Sequence, residues 1–174
     1  NSVDYPPLFR AAVMNLGRWV REDKDPPPSR VPRLADGTAV TREQALAAFP
    51  RIPGGSLPDP ERLLSVPRLD LGPAAADGVG AFPASLGPRF PSFVSAVNED
   101  GNELAGVRLP DVTTPIATHT GWNPRHPDTG GAGQIMPMMG STIPFPQTRA
   151  EREQSGDPRR SIEERYTDRD DYLA

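Results

Sequence analysis

Proline recurs along almost the whole of this chain, at 23 of 174 positions. Each one fixes φ and removes a backbone donor, so helices and central strands must be short and must fit between them. Sixteen glycines are added, and more than one residue in five is therefore a breaker, against about 12 % in ordinary chains. Such a content would suit disorder. Yet the prolines are interleaved with Leu, Val, Ile, Phe and Trp, and charge is nearly balanced at −4, which argues against a solvated coil. The expectation is a mixed α+β chain, loop- and proline-rich, with short helices, one or two β-hairpins and extended regions draped on a partner. The bland alternative is that 70–92 and 124–139 are simply flexible.

Six segments can be read along the chain. Residues 1–25 hold a packing helix over 5–22, with Asp4 as cap and Pro6 and Pro7 in the first turn, where missing amides cost nothing. Leu8, Phe9, Ala12, Val13, Leu16, Trp19 and Val20 recur at helical spacing. That stripe is wide and calls for a large apolar partner, with Leu16 and Trp19 at its centre. Its plainest reading is a core helix. Residues 26–69 start with the stiff Pro26-Pro-Pro28 linker. A hairpin over 30–40 follows, turning at Asp36-Gly37. Thr41 then opens a short helix to about Ala48, with Gln44 closing a capping box. Residues 50–62 read as loop and 63–69 as a short strand.

Residues 70–92 are a Gly/Pro/Ala-rich loop. Residues 93–120 are the β-hairpin region, in which 90–98 and 103–109 pair around the turn Asn98-Glu-Asp-Gly-Asn102, and Ile116-Ala-Thr118 adds a further strand. Residues 121–147 read as loop. Residues 148–174 hold capped helices. Thr148 and Glu151, then Ser161 and Glu164, stand three apart as capping boxes. Thr167 and Asp170 make a third, weaker start, followed by too few residues for a stable isolated helix. The expectation is that the chain stops inside a helix and is a piece of something longer. The charges from Arg149 to Arg165 alternate in sign and read as a solvated helical face.

Gly140-Ser-Thr-Ile-Pro-Phe-Pro146, Thr148-Arg-Ala-Glu-Arg-Glu153, Ser155-Gly-Asp-Pro158 and Ser161-Ile-Glu-Glu-Arg-Tyr166 resemble the C-terminal portion of a family of large bacterial α/β-hydrolase domain-containing proteins. The same holds for Val3-Asp-Tyr5, for Pro26-Pro-Pro-Ser-Arg-Val-Pro-Arg-Leu-Ala-Asp-Gly37, for Gly101-Asn-Glu103 with Gly106-Val-Arg-Leu-Pro110, and for Thr120-Gly-Trp-Asn123. The matches run in order along nearly the whole chain, with 72–89 and 126–139 outside the pattern. The resemblance implies a C-terminal segment of an α/β-hydrolase-like fold. It also implies a bacterial source, and a nucleophile elbow and catalytic His that precede Asn1. The residues agree on one point: no G-x-S-x-G elbow is present. Gly54-Gly-Ser-Leu-Pro58 has proline where the second glycine belongs, and Gly140-Ser141 runs into Ile-Pro.

Composition excludes some classes. No run of Lys and Arg suggests nucleic acid. No apolar stretch approaches the ~20 residues of a bilayer span. The chain has no cysteine, hence no disulfide framework or thiolate chemistry. No signal peptide is visible, and the compartment, periplasmic, secreted or cytoplasmic, stays open.

Chemically able residues are few. His119 follows a strand end with Asp111 eight residues before it, a pair that could act as a general base; the plainer reading is a loop His in an ordinary hydrogen bond. His119, His126 and Asp128 have no standard metal-ligand spacing, so no metal site and no cofactor are expected. Trp122, flanked by glycine in Thr120-Gly-Trp-Asn123, is placed to line a pocket or interface. Met136, Met138 and Met139 could form an adaptable apolar surface beside it, or simply be buried beneath the loop. Two functions compete. The first is a non-catalytic segment that completes a hydrolase-like fold and lines its cleft, held by a larger protein body. The second is a stand-alone interaction subunit that binds a host complex in extended form. An independent enzyme built on His119 and Asp111 is the weakest option.

Overall fold

A computed structural model describes residues 5–173, and the elements below are those of the described residues. Helix α1 spans Pro6–Glu22. The amides of Leu8 and Phe9 donate to the Tyr5 carbonyl at 2.9 and 3.2 Å, closing the first turn behind the two prolines. The helix ends at Asp23, which takes the left-handed conformation at φ 53°. Asp4, the expected cap, lies outside the described residues. The apolar stripe is present, but it is not core. No residue of α1 is buried, Trp19 is 49 % exposed and Val20 76 %, and α1 makes no substantial contact with another element. The reading of α1 as a helix packed into this chain's own core is thus corrected: periodicity reveals an apolar face, not what covers it.

After an extended run through Pro26-Pro-Pro28, the chain turns at Gly37, whose φ of 72° requires glycine. Asp36 accepts from the Thr38 amide and hydroxyl at 3.0 and 2.5 Å. The expected hairpin over 30–40 does not follow. Strand β1, Ala39–Thr41, instead joins a partner far along the chain. Pro32 has no amide to give to a local ladder. Helix α2, Arg42–Ala48, is capped by Thr41, with the Thr41–Gln44 box fully formed. A single 3₁₀ turn at Pro60–Arg62 leads to β2, Pro67–Asp70.

Strand β3, Ser85–Arg89, pairs antiparallel with β2, so a strand stands inside the stretch read as loop. Strand β4, Phe93–Ser95, pairs antiparallel with β1. The strand partner expected for this segment is thus corrected. The expected partner of β4, residues 103–109, contributes a single bridge, Val97 to Glu103. Beyond it, Pro110 opens a helical turn, α3, Pro110–Thr113. Strand β5, Ala117–Thr120, pairs antiparallel with β6, Ser141–Pro144, which lies in the second stretch read as loop.

Helix α4, Arg149–Ser155, and α5, Ile162–Arg165, carry complete boxes at Thr148–Glu151 and Ser161–Glu164. The last helix, α6, Arg169–Leu173, starts one residue later than its sequence suggests. Asp168 Oδ1 accepts from the amides of Asp170 and Asp171 at 2.9 Å, and Asp171 reaches back to the Thr167 amide at 2.8 Å. A short carboxylate thus displaces Thr167 as cap, in keeping with the stronger preference for Asp than for Thr at that position.

The fold is mixed α/β, with short helices and three two-stranded antiparallel sheets. Its interior is unusual. The buried aliphatic and aromatic side chains are Ala39, Phe49, Ile52, Ala117 and Phe145, while Asp100, Asn102, Thr118, Asp157, Arg159 and Ser161 are buried polar ones. Among the described residues no helix is long and apolar enough to cross a membrane.

Candidate functional site

The buried polar residues other than Ser161, which pairs with Glu164, meet around β5 and β6. Arg159 is only 2 % exposed. Its Nε and Nη2 hold the Asp157 carboxylate at 3.0 and 2.6 Å. Its other donors reach Thr118 Oγ1 at 2.9 Å, the Ile143 carbonyl at 2.9 Å and the Pro144 carbonyl at 3.1 Å. All five guanidinium protons are therefore used, which is what a buried Arg needs. Burial of Asp157 opposes its ionisation, but the hydrogen bonds from the Arg159 side chain and amide outweigh it and hold the carboxyl below its usual range. Thr118 passes the network on by donating to the Asp100 carbonyl. The Asp100 carboxylate in turn grips Arg165 with both oxygens. Phe145 lies between the two cations, 5.1 Å from the Arg159 guanidinium and 4.3 Å from that of Arg165.

Asn102 completes the cluster. Its amide donates to the Ala117 carbonyl at 3.0 Å and its oxygen accepts from the His119 amide at 2.8 Å. The side chain thereby acts as a peptide unit along the free edge of β5. Gly101, at φ 79°, leaves room for the Phe49 ring and Thr118 beside it. The alternating charges of 149–165 are thus no simple solvated face. Arg159 and Arg165 turn inward, and Arg152 Nε sits 2.9 Å from Glu164 Oε2, off the line of a good hydrogen bond. The Ser161 amide and hydroxyl hold the Glu164 carboxyl below its usual range. The sequence marks Ser161 as a cap, Asn102 as a turn residue and Arg165 as part of a solvated face, and gives neither Asp157 nor Arg159 a role in the interior. The available signal was Asp-Pro-Arg directly after a helix-ending glycine, which folds the acid back onto the arginine.

Trp122 stands above this cluster. Its Nε1 donates to the Ser56 carbonyl at 3.1 Å, and its ring meets Phe49 edge-on at 5.0 Å. A cleft of about 960 Å³ opens between the 49–57 loop and the 120–127 loop, walled by Phe49, Ile52, Trp122 and Ile143. A second cavity of about 260 Å³ shares Phe49 and Trp122 and has His119 in its wall. Ser141 lies in the larger cleft, but its hydroxyl donates to the Trp122 carbonyl at 3.0 Å. The Thr120 hydroxyl does the same at 2.6 Å.

The other candidates do not converge. His119 Nδ1 faces Thr142 Oγ1 at 3.4 Å. Asp111 lies exposed in α3, and no hydrogen bond or ion pair joins it to His119 among the described residues, so that dyad is not assembled. His126 Nδ1 lies 3.4 Å from Asp128 Oδ2 at the exposed rim. Among the described residues no group of three His, Asp or Glu is placed to hold a metal ion. Met136 is half-buried and Met138 and Met139 are exposed, and none of the three lies in the wall of either cavity. Leu16 and Trp19 remain on the open face of α1.

A family model described as an alpha/beta hydrolase domain matches residues 1–174. No curated protein and no solved structure matches the chain.

Proposed function

The chain belongs to the alpha/beta hydrolase domain family, and we propose that these residues serve that fold as a non-catalytic C-terminal segment. They complete a hydrolase-like body and line part of its substrate cleft, with Trp122 as the cleft's aromatic wall. The nucleophile and its base are supplied by the body on which the segment lies. One observation carries this reading. None of the cleft's hydroxyls, those of Ser56, Thr120, Ser141 and Ser155, hydrogen-bonds to a His, Asp or Glu among the described residues, and that of Ser141 is spent on the Trp122 carbonyl at 3.0 Å, whereas a nucleophile must point its hydroxyl at a base within hydrogen-bond reach. The open face of α1, centred on Leu16 and Trp19, supplies the surface that would meet the body.

The second reading, a stand-alone interaction subunit of a host complex, is favoured by the same open face. Both readings make the isolated chain inert. The purified chain mixed with a p-nitrophenyl ester should release nitrophenolate no faster than buffer. A burst of nitrophenolate abolished by Ser141→Ala or Ser56→Ala would overturn both.

A further inference from the structure

We propose that the Trp122 cleft takes an organic carboxylate with an apolar body, gripped at the rim by Arg51 and Arg125. The inference rests on the cleft reading above and adds the ligand's class. Its volume, about 960 Å³, lies in the range of small-molecule sites. Its wall is partly apolar, through Ile52, Leu57, Trp122 and Ile143, and several of its polar groups are already satisfied, though the side chains of Ser56 and Asn123 have no hydrogen bond among the described residues. The Trp122 N–H is used by Ser56, and the hydroxyls of Thr120 and Ser141 by the Trp122 carbonyl. An acyl chain or aryl ring would find the Trp122 ring and the side chains of Ile52, Leu57 and Ile143.

The rim differs in charge from the chain as a whole. The chain carries net −4, yet no Asp or Glu lines the cleft. Arg51 and Arg125 do line it, and neither guanidinium makes a hydrogen bond or ion pair among the described residues. His126, the third basic group, already faces Asp128. Two arginine side chains without hydrogen-bond partners among the described residues, on a wall that also carries Trp122, Ile52 and Ile143, suit an amphiphilic oxyanion. A planar carboxylate can present both oxygens to one guanidinium fork, and the titration below separates it from a phosphonate.

The test is a titration of the ¹⁵N-labelled chain, reading the indole N–H of Trp122, with Trp19 on α1 as internal control. The probes are 4-phenylbutyrate, 4-phenylbutanamide and 4-phenylbutylphosphonate. The expected result is a saturable shift of Trp122 alone, with the carboxylate at least about tenfold tighter than the amide. Arg51→Gln and Arg125→Gln should each reduce that preference, and Arg10→Gln on α1 should not. Equal affinity for acid and amide, tighter binding of the phosphonate, or a preference that survives the double Arg51→Gln, Arg125→Gln variant would overturn it. Since both arginines are exposed or half-buried and unpaired, these variants keep the fold. Carboxylate binding by a chain that also shows a Ser141-dependent ester burst would sink the proposed function and leave this inference standing. Loss of carboxylate preference in an inert chain would do the reverse.

Discussion

Arg159 holds Asp157 through two guanidinium nitrogens while its remaining donors tie down Thr118 and two carbonyls at β6. This one side chain links the C-terminal helices to the β5–β6 sheet. The aliphatic and aromatic core has few members, so the polar cluster bears much of the tertiary structure. Arg159→Ala leaves Asp157 buried without its cation and should cost on the order of 3–5 kcal/mol. Arg159→Lys loses the fork geometry and should recover only part of that. Urea denaturation of the two variants decides it.

The same pair sets the acid limit of the fold. The Asp157 carboxyl titrates lower in the folded chain than its ordinary value of about 3.9. Its contribution is therefore complete above that ordinary value and is lost as pH falls through the lower folded value. Urea midpoints should hold steady from pH 7 to about pH 5 and fall below pH 4. In Asp157→Asn the loss below pH 4 should be smaller, from a lower starting stability.

Gly101 tests how closely the cluster meets the apolar core. A Cβ at this position would lie 2.7 and 2.9 Å from atoms of the Phe49 ring and 3.1 Å from Thr118 Cγ2, with φ at 79°. Gly101→Ala should cost about 1–3 kcal/mol from crowding alone, with left-handed strain added. Gly37→Ala, with open space around its Cβ, should show the strain without the crowding and cost less.

Caps separate what was legible from what was not. Gln44, Glu151 and Glu164 close the boxes their spacing announces, because a cap is satisfied within four residues. Ser161 is fully buried as well, and Ser161→Ala should cost about 1–2 kcal/mol. At the last helix, Asp168→Ala should lower helicity by circular dichroism more than Thr167→Ala does.

Strand partners were less legible. β1 and β4 are joined across 52 to 56 residues of chain by pairs such as Ala39 with Ser95, and nothing in either three-residue strand names its partner. Proline spacing marked where strands could not run, not which ones would meet. Trp122, singled out by its glycine-flanked loop, borders the larger cleft. Arg159 was not legible, since a charge in an alternating run looks solvated until its carboxylate is seen folded back upon it. The α1 face was legible as apolar, but its cover was not. In the isolated chain Trp19→Ala should now change stability by less than about 1 kcal/mol, since Trp19 packs on no core.

The central claim is that the α1 face waits for a larger hydrolase body, and amide exchange of α1 tests it most directly. The chain is measured alone and again after co-expression with a family body carrying the G-x-S-x-G elbow. Alone, the amides from Arg10 to Arg21 should exchange within the fraying range of an unsupported helix. In the assembly they should become strongly protected, and iodide should no longer quench Trp19. Strong protection of these amides in the monomeric chain alone, unchanged by the body, would contradict the account.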